Sequence, residues 1–190
     1  MEFWIMNNFK LKSEIMKKFL LAIIVAATVF TSCKKKDNEP ETASGNGKLT
    51  VERYGVDNGA LAKFSSTTVG ITQTTIAGIT TFAISAIKEG SNESINIIVP
   101  RKIATTGKIT FAYNDSSAGA ITYTKDYTKP ADGSLNYRTD ASNSTTKGGG
   151  ELNITKFDGN TIEGTFYFVT INSAGKEAWG ENGSFSGTIK

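Results

Sequence analysis

After Cys33 no stretch of this chain repeats its apolar residues at helical spacing. Short runs alternate apolar and polar residues instead, and each run stops at Gly, Pro, Asn or Asp. A period of two places successive side chains on opposite faces of a strand, so it predicts half-buried β-strands. The clearest case is the last third. Glu151 to Phe157 reads as a strand, Asp158-Gly159-Asn160 as a tight turn, and Thr161 to Ile171 as the return strand. Asp-Gly and Gly-Asn accept the positive φ that such turns need. Asn172 to Lys176 turns again, and Ser184 to Ile189 closes a three-stranded meander.

The same pattern runs upstream. Leu49, Val51 and Arg53 alternate with Thr50, Glu52 and Tyr54, and Asp57-Asn58-Gly59 marks the first turn. Leu61 to Phe64 reads as its partner, and Thr67 to Ala77 as a looser strand. Ile79 to Ile87 and Ser94 to Val99 follow, the latter stopped by Pro100. Ile71, Ile76, Ile79, Phe82, Ile84 and Ile87 are the core candidates of this part. Gly107 to Tyr113, Ala120 to Lys125 and Leu135 to Arg138 complete the set. Asp126 to Gly133 is a loop, and Ala141 to Gly150 a polar, Gly-rich connection. The expected fold is all-β: one antiparallel sandwich or barrel domain of about eight to ten strands.

The N-terminus carries a different signal. Lys17 and Lys18 precede an apolar run of 12 residues, Phe19 to Phe30, and then Thr31-Ser32-Cys33. A membrane-spanning helix needs about 20 residues, so this run fits a secretory h-region better. The segment Met16 to Cys33 resembles a bacterial lipoprotein signal, in which the cysteine becomes the acylated N-terminus. Phe30 departs from the Leu usual three residues before that cysteine. Residues 1–32 are thus expected to be a signal peptide with its start at Met16, or at Met6, and 33–47 a lipidated flexible tether. The β-domain is expected over 48–190. Cys33 is the only cysteine, so no intramolecular disulfide can form and the thiol is assigned to lipid. The stretch C-K-K-K-D-N-E-P-E resembles the charged segment after the cysteine in Bacteroidetes lipoproteins, where it bears on export. The implied location is the outer membrane, periplasmic or surface-facing.

Removing residues 1–32 leaves 158, enough for one domain with a real core. The chain carries a formal charge of +3; four lysines and two glutamates lie in the removed segment, which leaves about +1. That balance gives no reason to expect nucleic acid as a partner. Histidine is absent, which removes His-based triads, Cys-His dyads and the usual zinc sites. No cofactor and no metal-ligand set is assigned.

The run G-E-L-N-I-T-K-F-D-G-N-T-I-E-G-T-F-Y-F, then N-S-A-G, then N-G-S-F-S, resembles uncharacterised Bacteroidetes lipoproteins of the DUF6252 type. The likeness covers roughly Ile95 to Lys190, and its motifs are turn glycines and strand-centre aromatics. It implies a small β-domain on a lipid anchor and carries over no catalytic residue.

Carboxylates are the remaining acid–base groups. Glu163, Glu177 and Glu181 lie close in sequence, and a suitably spaced pair would suit glycoside hydrolysis. Asp126, Asp132 and Asp140 sit in or beside loops, where oxygen ligands for calcium occur, but their spacing matches no calcium loop. Solvated carboxylates are the plainer reading of both sets. Tyr167 falls between Phe166 and Phe168 and must face the opposite side of its strand. Trp179 sits in the polar stretch G-K-E-A-W-G-E-N-G. Exposed, it would suit stacking on a sugar ring or a partner surface. The preferred alternative has it folding back over a barrel end.

Two functional expectations follow. The first is a membrane-anchored, non-enzymatic lipoprotein whose β-domain binds a glycan or a partner protein through a surface at Trp179 and Tyr167, or, as a barrel, a small hydrophobic ligand in an apolar cavity. The second is a carboxylate-dependent, glycosidase-like envelope hydrolase.

Overall fold

A computed structural model describes residues 45–190 of the chain. The signal segment, Cys33 and the tether up to residue 44 lie outside the described residues. Among the described residues there are ten strands: β1 Gly47–Val56, β2 Ala62–Ile76, β3 Ile79–Ile87, β4 Ser94–Val99, β5 Gly107–Ala112, β6 Ala120–Thr124, β7 Asn136–Arg138, β8 Gly149–Phe157, β9 Thr161–Ile171 and β10 Glu177–Thr188. All pairings are antiparallel.

The sheet closes on itself. β10 pairs with β1 on one side and β9 on the other, and the path β1-β2-β3-β4-β6-β7-β9 completes a ring of eight strands. The fold is therefore an eight-stranded antiparallel barrel, which resolves the choice between sandwich and barrel. β7 meets β9 only at Arg138 and Ile171, and β8 takes the rest of that edge. β5 extends the wall beyond β8. An eight-stranded barrel is just wide enough for side chains to fill. Here Phe64, Phe82, Tyr123, Tyr137 and Phe168 fill it with Ile and Val from most strands. Ile109, Phe111, Leu152 and Ile154 bring β5 and β8 onto the same core.

β3, β4 and β9 have the bounds that alternation predicts. Elsewhere the structure differs in ways that have causes. Arg53 does not follow Leu49 and Val51 into the core. A register shift between Val51 and Tyr54 turns Tyr54 inward and Arg53 out to Glu181, 3.2 Å away. Leu61 precedes β2 and is exposed. Ile76 and Ile79, expected in the core, are 73% and 66% exposed. They face each other at the tip of a β2–β3 hairpin that runs past the end of β4, whose last pair is Phe82 with Val99. β1 starts one residue before the expected boundary. Asn46 already clamps the wall, its Oδ1 accepting from the Ile71 N–H and its Nδ2 donating to the Ile71 carbonyl, both at 2.8 Å.

The largest difference lies in β10, which begins seven residues before Ser184. Its inward positions include Gly180 and Gly183. A Cβ on Gly180 would lie 2.5 Å from the Phe168 ring, and one on Gly183 2.7 Å from the Phe166 ring. The glycines make room for two phenylalanines, and their missing side chains hide the alternation.

Candidate functional site

The outer face of β8, β9, β10 and β1 carries both aromatic candidates, Tyr167 in a groove and Trp179 outside it, toward β1. Trp179 pairs across strands with Val169 on one side and Gly55 on the other. It therefore belongs to a strand wall and does not fold over a barrel end. The indole lies against Gly55, where a Cβ would come within 2.9 Å of the ring. Two residues along β9, about 7 Å away, Tyr167 stands 51% exposed.

A register shift in β10 falls opposite Tyr167. Gly180 pairs with Phe168 and Gly183 with Phe166, so Glu181 and Asn182 together face one residue. Asn182 takes a φ of 53°, a left-handed conformation that Asn tolerates. The bulge turns both side chains outward beside Tyr167. Across the other edge, Glu151 of β8 pairs with Tyr167. The result is an open groove of about 610 Å³ with Tyr167 in its floor, bordered by Glu151, Thr165, Glu181, Asn182 and Ser184. Lys108 holds Glu151 at 3.1 Å, and Arg53 holds Glu181 at 3.2 Å. An aromatic face flanked by planar carboxylate and amide groups and by hydroxyls matches the alternating apolar and polar faces of a sugar.

A second cluster lies at the barrel end formed by the turns after β1, β3 and β6. Glu93 Oε2 accepts from the hydroxyls of Tyr54 at 2.7 Å and Tyr123 at 2.8 Å. Lys88 Nζ reaches Glu93 Oε1 at 2.9 Å and also donates to the Tyr54 hydroxyl. Tyr137 donates to Asp57 Oδ1 at 2.8 Å, and Lys125 pairs with Asp57 Oδ2 at 3.0 Å. The rings of Tyr54, Tyr123 and Tyr137 stack in a tilted row with centroids 6.1 and 5.6 Å apart. Burial pushes all three phenols up, and Glu93 or Asp57 adds to the push. Burial also works against the Glu93 charge, but bonds from Lys88, Tyr54 and Tyr123 outweigh it and hold the carboxyl below its ordinary range. Every member therefore has a partner, which is the pattern of a structural plug. A cavity of about 240 Å³ opens beside it, between Tyr54, Ala62, Glu93 and Lys125.

The remaining candidates are spread out. Glu163 sits near the far end of β9 and pairs with Lys156 at 2.9 Å. Glu177 lies at the start of β10, opposite Ile171, and accepts from Asn143 at 3.0 Å. Eight residues of strand, roughly 27 Å, separate these two positions, so the glutamates expected to pair do not converge. Glu181 converges instead with Glu151. Asp126 and Asp132 close local turns on Thr128 and Ser134, and Asp140 forks onto Arg138 at 2.7 and 2.8 Å. Those bonds hold each carboxyl below its ordinary range.

Glu151 and Asn182 escape a reading of sequence because a bulge and a strand pairing place them. The Glu93 cluster escapes it because four separate segments supply its members. Compared with protein-family models, curated proteins and solved structures, the chain matches none.

Proposed function

We propose that the chain is a lipoprotein of the bacterial outer membrane, anchored through Cys33, whose barrel binds glycan on the wall around Tyr167 and Trp179 without transforming it. The resemblance to DUF6252-type lipoproteins belongs to the same proposal. One observation carries the binding reading: a packed barrel interior beside an exposed groove that pairs Tyr167 with Glu151, Glu181 and Asn182. The packed interior weighs against a small hydrophobic ligand held inside. The groove's charged and hydroxyl border favours glycan over an apolar protein surface.

Trp179 is the only tryptophan after Cys33, so its fluorescence reports on the wall directly. Titrating the acylated protein with a panel of soluble neutral and acidic oligosaccharides should change that emission saturably for at least one of them. No saturable change across the panel would remove the glycan reading. The anchor has its own test, Cys33→Ala, which should abolish acyl labelling and release the protein from the membrane fraction.

The alternative, a carboxylate hydrolase, draws on one observation. Glu151 and Glu181 border the same groove from strands about 10 Å apart, close to the separation of inverting glycosidases, roughly 6.5–9.5 Å. Both are held by cations, which suits binding better than proton transfer. Release of reducing sugar that Glu181→Gln abolishes would establish the hydrolase in its place.

A further inference from the structure

The β2–β3 hairpin is built unlike an ordinary exposed hairpin. From Ser65 to Ile87 no charged residue occurs. Proteins usually guard projecting strands with charges, lysine above all. Here the stem is Thr74, Thr75, Thr80 and Thr81, with the Thr75 and Thr80 hydroxyls bonded at 2.8 Å. The tip is Ile76-Ala77-Gly78-Ile79, and both turn residues take positive φ, 50° and 82°. That turn sets the two isoleucines side by side, both largely exposed. Two ordered isoleucines on an uncharged stalk suit an apolar medium better than water.

Cations stand at the base of the stalk. Gln73 of β2 accepts from the Ile103 N–H at 2.7 Å, which ties the 100–106 loop to the hairpin. That loop carries Arg101 and Lys102, both exposed and in no ion pair among the described residues. An apolar prong with two such cations on the loop at its base matches the layering of a bilayer surface, acyl chains below anionic headgroups. The described chain also begins at this end, where Gly47 pairs with Val69 of β2. From Cys33 to Gly45 is twelve residue steps, which reach about 40 Å at most.

We infer that the barrel docks on the membrane that holds its anchor, with Ile76 and Ile79 seated in the interface and Arg101 and Lys102 on anionic headgroups. This rests on the anchor reading of Cys33. Docking by this end sets the barrel's long axis toward the bilayer and turns the Tyr167–Trp179 wall sideways, free for ligand.

The test uses the acylated full-length product in vesicles. An Ile79→Cys variant is labelled with a polarity-sensitive maleimide dye, and Tyr127→Cys at the opposite end serves as the reference. In phosphatidylcholine vesicles with phosphatidylglycerol, the dye at 79 should shift to the blue. Lipids brominated near the headgroup should quench it, and the dye at 127 should stay as in water. Arg101→Glu with Lys102→Glu should remove the part of the quench that phosphatidylglycerol adds. Equal, water-like emission at both positions, with one dye per chain, overturns the docking alone, because one dye per chain means that Cys33 is acylated. Two dyes per chain mean a free Cys33 thiol, which overturns the anchor and the docking with it. A blue shift at 79 that brominated lipids do not quench and that disappears on dilution of the protein would assign the prong to a second copy and also overturn the docking.

Discussion

Trp179 lies against Gly55 so closely that a Cβ at position 55 would stand 2.9 Å from its indole ring. The glycine lets the ring lie flat on the wall. Gly55→Ala should lift the indole, shift its emission and weaken the glycan binding proposed for this wall. The fold should survive at a cost of about 1 kcal/mol, since the displaced ring is part-exposed and can move. Emission spectra and thermal melts of the two proteins check this together. Unchanged emission would mean that the ring does not rest there in solution.

Tyr167 has an exposed side chain and an apolar core behind its strand. Tyr167→Ala should leave stability within about 0.5 kcal/mol. It should weaken any ligand seen by Trp179 roughly tenfold, the loss of one aromatic stacking contact. Fluorescence titration beside a denaturant melt separates the two effects. A large loss of stability would recast Tyr167 as structural.

Glu93 holds together Lys88, Tyr54 and Tyr123, and its side chain is only 21% exposed. Glu93→Gln should cost about 2–4 kcal/mol, because Lys88 loses its charge partner in a mostly buried place. Urea unfolding at neutral pH measures it.

The pH dependence follows from the same cluster. Glu93 is lowered from its ordinary 4.5 in the folded state. Its contribution is thus complete above about pH 4.5 and is lost as pH falls through the lowered value. Lys88 is raised from 10.5 despite burial, through bonds to Tyr54 and Glu93, and burial raises Tyr54 from 10.0. Their contribution is complete below about pH 10 and is lost as pH climbs beyond it. Stability should form a plateau between these limits, and Glu93→Gln should flatten its acid edge. An acid edge of unchanged height in the variant would show that other carboxylates set it.

Gly180 faces the core beneath Phe168. A Cβ there would lie 2.5 Å from that ring and 3.0 Å from Val51. Gly180→Ala should therefore cost about 1–3 kcal/mol by overpacking. Gly70, with open space around its Cβ position, should accept alanine at little cost. Paired melts of the two variants compare them under one assay.

Much of the barrel wall is legible one strand at a time. Ile79 to Ile87, Ser94 to Val99 and Thr161 to Ile171 declare themselves because alternation is a local property of a half-buried strand. Tyr167's outward direction follows from its flanking phenylalanines for the same reason. Three features needed the fold. The inward glycines of β10 carry no hydrophobic signal, so Trp179 reads as loop until Phe166 and Phe168 are seen above Gly183 and Gly180. Ile76 and Ile79 look like core until β4 ends short of them. Arg53 reads as inward until the shift after Val51 reverses the faces.

The sequence by itself determined an all-β chain with its turns, its aromatic strand centres and a domain free of histidine and thiol. Those depend on residue type and on spacing within a few positions. Only the tertiary structure decided that the sheet closes through β10 against both β1 and β9. It also decided that Glu151, not Glu163 or Glu177, shares a groove with Glu181, and that Glu93 gathers Lys88 and two tyrosines. Pairing between distant strands is set by the register of the whole ring, and no short stretch encodes it.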